Sequence, residues 1–200
     1  MYRTNPTAIC EDLDERGQQT WGFFIYRTCY DDNAQWDEFM ERMKGFAQRG
    51  LSARREGQTD DPGLLERLEW HVQQDPTLEG CSKAEIWRRH RALMDPHYDG
   101  YEPGNVQHCF PRIVDQEALD SVLDGTAPSN WKFADCKTSS AHVIVLDMNW
   151  FNEEQHRGRD FAEPDDGAEY GWAKVLVAKA YPYLTRCLAV GSGMPCMLGH

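Results

Sequence analysis

Residues 21–43, WGFFIYRTCYDDNAQWDEFMERM, hold a strand and a helix in direct succession. Trp21–Thr28 is aromatic and β-branched, and it stays apolar on both faces until Arg27. That pattern predicts an interior strand. Asp32 then opens a capping pattern with Gln35 three residues on. Trp36, Phe39, Met40, Met43, Phe46 and Ala47 recur at helical spacing, and Gly50 is placed to stop the run.

Working outward, residues 1–20 are polar and predict a loose lead-in with at most one helical turn. Residues 52–63 predict a loop. Leu68, Trp70 and Val72 alternate with charged and polar neighbours, which predicts a half-exposed strand. Ser82 and Glu85 form a second capping box, opening a helix whose apolar face is Ala84, Ile86, Trp87, His90, Leu93 and Met94 and which Pro96 ends. Residues 95–107 are turn-rich. A short strand at Cys109–Val114 contains Pro111, which argues for an edge position. Asp115 caps a helix carrying Ala118, Leu119, Val122 and Leu123, closed by Gly125. Strands are predicted at Trp131–Ala134, Ala141–Trp150 and Gly171–Val177, and a last helix at Lys179–Val190. Strands and helices do not alternate strictly. The expectation is one α+β domain over 21–190 with a tail at 191–200. Its sheet is mixed and mostly antiparallel, of five to six strands under about four helices, and 109–150 echoes a ferredoxin-like half.

The composition is globular: 200 residues, 40% hydrophobic and 12% aromatic, with seven tryptophans to build a core. The formal net charge of −12 repels phosphate backbones and anionic membrane surfaces, so neither nucleic acid nor membrane is expected as a partner. No apolar run approaches the ~18 residues of a membrane span. The acidic first twenty residues lack a signal-like apolar region, so a cytoplasmic protein is expected. The seven cysteines are odd in number and scattered, which fits reduced thiols.

Arg27 is the leading site candidate. A guanidinium on an inward face must meet a carboxylate, an anion or backbone carbonyls. With Tyr26 and Tyr30 beside it, an unpaired Arg27 would hold an anionic ligand. Paired, it would be structural, with Asp147 as the natural counterpart because that residue interrupts the apolar strand VIVLDMNW. Asp147 is also a candidate proton carrier, since a desolvated carboxylate has a raised pKa. Just beyond, residues 152–160 gather His156, Arg157 and Arg159, with His156 a candidate general base and the arginines candidate ligand contacts. The same loop also reads as a solvated charge cluster. His90, His97, His108 and Cys109 lack metal-ligand spacing, so no metal and no cofactor is expected, and His90 reads as a satisfied core histidine. Cys10–Arg16 has the literal spacing of a phosphatase loop, but its acidic interior repels phosphate.

The strand W-G-F-F-I-Y-R-T-x-Y at 21–30, with the capped helix after it, resembles the opening of a group of filamentous-fungal proteins of no established function. Their V-D-x-x-x-L-x-S-[VL]-L segment is matched by Val114, Asp115, Leu119, Ser121, Val122 and Leu123. Their Y-G-W-x-K-V strand is matched by Tyr170, Gly171, Trp172, Lys174 and Val175. The resemblance implies a fungal intracellular protein and lends no activity. Two functional readings follow from the residues. One is a small cofactor-independent enzyme of the isomerase, cyclase or lyase type, acting on a small organic, anionic metabolite. The other is a non-catalytic interaction module, docking a basic partner on its acidic surface or forming a homodimer through an exposed sheet edge such as 109–114.

Overall fold

The computed structural model describes residues 6–15, 17–52, 63–94, 110–130, 139–148 and 171–177. The expected strand 131–134, helix 179–190, loop 152–160 and tail lie outside the described residues. Four helices and five strands are described: α1 (Pro6–Glu15), β1 (Trp21–Arg27), α2 (Asn33–Ser52), β2 (Leu68–Gln73), α3 (Lys83–Met94), β3 (Arg112–Val114), α4 (Gln116–Leu123), β4 (His142–Leu146) and β5 (Trp172–Leu176). The strands form one mixed sheet in the order β2-β1-β3-β4-β5. β1 pairs in parallel with both β2 and β3, and β3–β4 and β4–β5 are antiparallel. The fold is therefore α+β, as the sequence predicts, with parallel and antiparallel pairings in equal share. β3 and β4 are antiparallel neighbours, and the strand 131–134 that would complete a ferredoxin-like half lies outside the described residues.

Strand alternation divides the core into two layers. Phe23, Ile25, Val114, Val143, Val145, Ala173 and Val175 face α2 and α4, meeting Trp36, Phe39, Met43, Phe46, Ala118, Leu119 and Val122. Phe24, Tyr26, Ile113, Ile144, Leu146 and Trp172 face the other way, onto Ile86 of α3. Every residue of β1 is buried, as an interior strand requires. Leu93, expected on the apolar face of α3, is instead 52% exposed.

The helix starts follow the sequence. Asp32 Oδ1 accepts from the backbone of Ala34 and Gln35, Ser82 Oγ from Glu85, and Asp115 Oδ1 from Ala118. α2 runs two residues past Gly50. At its far end α4 is held by Arg42 of α2, whose Nη1 donates to the carbonyls of Val122, Leu123 and Gly125. A cation there satisfies orphan carbonyls and complements the helix dipole.

Two expectations are corrected. Residues 6–15 form a helix of about three turns where a loose lead-in was expected; Cys10 and Leu13, one turn apart, are buried in the α2 layer. The strand containing Pro111 is central and not at an edge. The proline precedes the first paired residue, so its missing N–H costs no ladder bond, while its carbonyl accepts from Leu146. Among the described strands the sheet edges are β2 and β5, and β3 is paired on both sides, which removes 109–114 as a docking edge.

Candidate functional site

A cleft of about 510 Å³ opens at the carboxyl ends of β1 and β3. Its walls are the turn after β1 (Thr28, Cys29, Tyr30, Asp31), the turn into α3 (Glu79 to Lys83) and the start of α4 (Asp115, Gln116), with Ile113 and Ile144 also lining it. From β1 the chain crosses by α2 on one face to β2, then returns by α3 on the other face to β3 beyond β1. The strand order reverses there, and α2 and α4, which follow β1 and β3, both pack on the face opposite α3.

Local chemistry fixes the walls. Gly80, at φ 62°, turns the chain toward α3, and its N–H donates to the Thr28 carbonyl, tying two walls together. Tyr30 Oη donates within reach of two carbonyls, Arg27 at 3.0 Å and Asp75 at 2.8 Å. Asp75 in turn caps the short 3-10 turn Pro76–Leu78 by accepting from Thr77, and that bond holds its carboxyl below the ordinary value.

The lining carries three carboxylates, Asp31, Glu79 and Asp115, against one ammonium, Lys83, a formal charge of −2. Asp115 already occupies the N-terminus of α4, and Lys83 Nζ lies 4.3 Å from the centroid of the Trp172 ring. An anionic ligand finds little free positive charge here. Cys29 is the lining thiol nearest the strand end. Burial pushes its pKa from 9.0 to about 11, opposed by Arg27 and reinforced by Asp115, Asp120 and Asp31. It is a neutral thiol at physiological pH and not an activated nucleophile.

The sequence candidates scatter relative to this cleft. Tyr30 lines it. Arg27 stands behind the wall, 4% exposed, and forms no ion pair among the described residues. Its Nε donates to the Cys29 carbonyl at 2.7 Å and its Nη2 reaches the Asp32 carbonyl at 3.5 Å. The guanidinium carbon lies 4.6 Å from the Tyr30 ring centroid and 4.9 Å from that of Trp36. Arg27 thus shapes the turn that builds the cleft. Tyr26, on the strand face opposite Arg27, points into the α3 layer, its hydroxyl 2.9 Å from His90 Nδ1, and burial raises its pKa. His90 is a core histidine, as expected.

Asp147 lies at the other end of the sheet. Continuing the register, Arg27 is level with Val143, and Asp147 is four residues further along and two strands across. That is a separation of roughly 16 Å between Cα atoms. Asp147 is 7% exposed, and its N–H donates to the Gly171 carbonyl. The expected Arg27–Asp147 pair does not form. His156, Arg157 and Arg159, with His97, His108 and Cys109, lie outside the described residues.

Arg112, which no sequence motif marks, is the largest fully buried side chain among the described residues, on the central strand with its guanidinium 3.7 Å from the Phe23 ring centroid. Arg112 has further partners besides that ring. Its signal was present: it shares a strand face with Val114, one position of alternation away. Among the described residues no group of three or more metal-ligating side chains assembles, and no helix is long and apolar enough to cross a membrane. Comparisons with family models, with curated proteins and with solved structures return no match for this chain.

Proposed function

We propose that this protein is a small cofactor-independent enzyme, of the isomerase, cyclase or lyase type, acting on a small polar organic metabolite held in the cleft after β1 and β3. The observation that carries this reading is the position of the cleft, about 510 Å³ at the carboxyl ends of parallel strands where the strand order reverses. Loops that follow strand ends commonly carry binding and catalytic residues, and the volume suits a metabolite. The acidic lining favours a ligand rich in hydroxyl or amino donors over the anionic one that Arg27 suggests in the sequence. Asp31 and Glu79 are the groups placed to orient it or to move a proton.

The interaction-module reading has less behind it. The strand proposed as its edge is interior, and Leu93 is the one large exposed hydrophobic among the described residues.

The test is a thermal-shift screen of small amines, polyols and carboxylates, with hits located by amide chemical-shift mapping. Amines or polyols should stabilise the wild type and perturb Tyr30, Gly80 and Gln116, and the doubly neutralised variant Asp31→Asn/Glu79→Gln should lose the effect. Hits that map away from the cleft, or persist in that variant, would sink the proposal.

A further inference from the structure

Beside the cleft, His142 of β4 is 8% exposed and lies on the same sheet face as Ile144, which lines the cleft two residues on. Its backbone N–H donates to Ser121 Oγ, fixing β4 to α4. Its ring is oriented by Nδ1, 2.9 Å from the Ser140 carbonyl. A carbonyl can only accept, so in the neutral ring Nδ1 carries the proton and Nε2 the lone pair. That Nε2 is buried and makes no hydrogen bond among the described residues.

The surroundings of Nε2 are polar. Glu117 Oε1 lies 3.9 Å away, too far for a hydrogen bond, and is itself held by Lys174 Nζ at 2.6 Å. Lys174 is the cross-strand partner of Ile144. The Lys174 hydrogen bond first, and then the charges of Lys174 and the cleft residue Lys83, hold the Glu117 carboxyl below its ordinary value. The cluster therefore adjoins the cleft at the end formed by Gln116 and Ile144. The Glu117–Lys174 pair is exposed, at 64% and 42%, and a pair of that kind yields readily to a competing ligand.

We propose that His142, Glu117 and Lys174 form a hydroxyl-binding subsite at the α4 end of the cleft. A ligand hydroxyl donates to His142 Nε2 and accepts from Lys174 Nζ, completing both groups at once. Buried acceptors without a partner are costly, so satisfying Nε2 favours binding and selects hydroxylated molecules over their deoxy counterparts. The substrate class is a small polyol or hydroxy compound. This assignment rests on the cleft being the ligand site and adds its specificity.

The test is an NMR titration of the whole chain, 15N-labelled at histidine and backbone, with erythritol and with 1,2-dimethoxyethane, which has no hydroxyl, as probes. Erythritol should shift His142 Nε2 together with the Gln116 and Ile144 amides, while 1,2-dimethoxyethane should move the two amides and leave Nε2 unchanged. His142→Phe should bind erythritol about fivefold more weakly and leave 1,2-dimethoxyethane unaffected, the worth of one neutral hydrogen bond. The wild-type Nε2 resonance decides the matter even where that variant fails to fold. Amides that respond to erythritol while Nε2 stays still would overturn the subsite and leave the cleft reading intact. Silence of the cleft amides toward both probes would overturn both.

Discussion

Gly22 of β1 lies directly against the backbone carbonyl of Glu69 on β2, where a Cβ would fall 1.6 Å from the oxygen and 2.6 Å from the carbon. The two residues are register partners in the parallel β1–β2 ladder, so the clash would fall on main chain and could not be relieved by a rotamer change. Gly22→Ala should therefore spread β1 from β2 and cost about 3 kcal/mol or more, the range of severe overpacking. Urea unfolding followed by circular dichroism measures it. A loss under ~0.5 kcal/mol would mean that the strands do not approach in this way.

Arg27 and Trp36 carry the second prediction. The guanidinium lies over the rings of Tyr30 and Trp36 and is bonded to the Cys29 carbonyl, so its planar fork matters as well as its charge. Arg27→Lys keeps the charge and loses the fork, and it should destabilise by about 1–3 kcal/mol, nearly as much as Arg27→Met. Both variants should also broaden the amide signals of Cys29–Asp31. Full rescue by lysine, in stability and in spectra, would show that charge alone is needed.

Much of this fold is legible in the sequence because short-range chemistry governs it. The Asp32, Ser82 and Asp115 caps form as spaced, and alternation along Trp21–Arg27 and His142–Leu146 gives the two core layers. Pairing between distant strands was harder. Pro111 reads as an edge signal by itself, and only the register reveals that it sits just outside the ladder. The site was less legible still. Arg27 and Asp147 are both buried charges, and sequence supplies the two burials without the distance between them. The cleft arises where three separate turns converge, and no local motif marks it. Gly22, in turn, reads as a neutral member of an apolar strand until its neighbour is known.

Asp115 supplies a third prediction, since one carboxylate both caps α4 and lines the cleft. Asp115→Ala should cost about 1 kcal/mol and fray the first turn of α4, while Asp115→Asn, a comparable cap, should cost far less. Both remove the charge. Ligand affinity that tracks helix order, measured by hydrogen exchange at Ala118 and Leu119, would assign the residue a positioning role. Equal affinity losses in both variants would instead assign it direct contact through its charge.

The last prediction concerns Cys29 and alkaline pH. Its thiol is raised by burial from 9.0 to about 11, so the folded protein holds this proton more tightly than the unfolded chain does. The unfolded state then binds fewer protons between those two values, and stability must fall as pH rises through that window. Below about pH 9 the contribution is fully present, and above about 11 it is gone. Tyr26, also raised by burial, adds its own decline only above its ordinary value of 10.0, so the first step belongs to the thiol. Cys29→Ala should flatten the stability profile between pH 9 and 10 and leave the steeper decline above it, at some expense in packing because Cys29 is buried. Urea midpoints at half-unit pH steps make the comparison. A wild-type profile already flat from pH 9 to 10 would mean that the thiol meets water, and labelling of Cys29 by iodoacetamide at pH 8 should then be fast rather than slow.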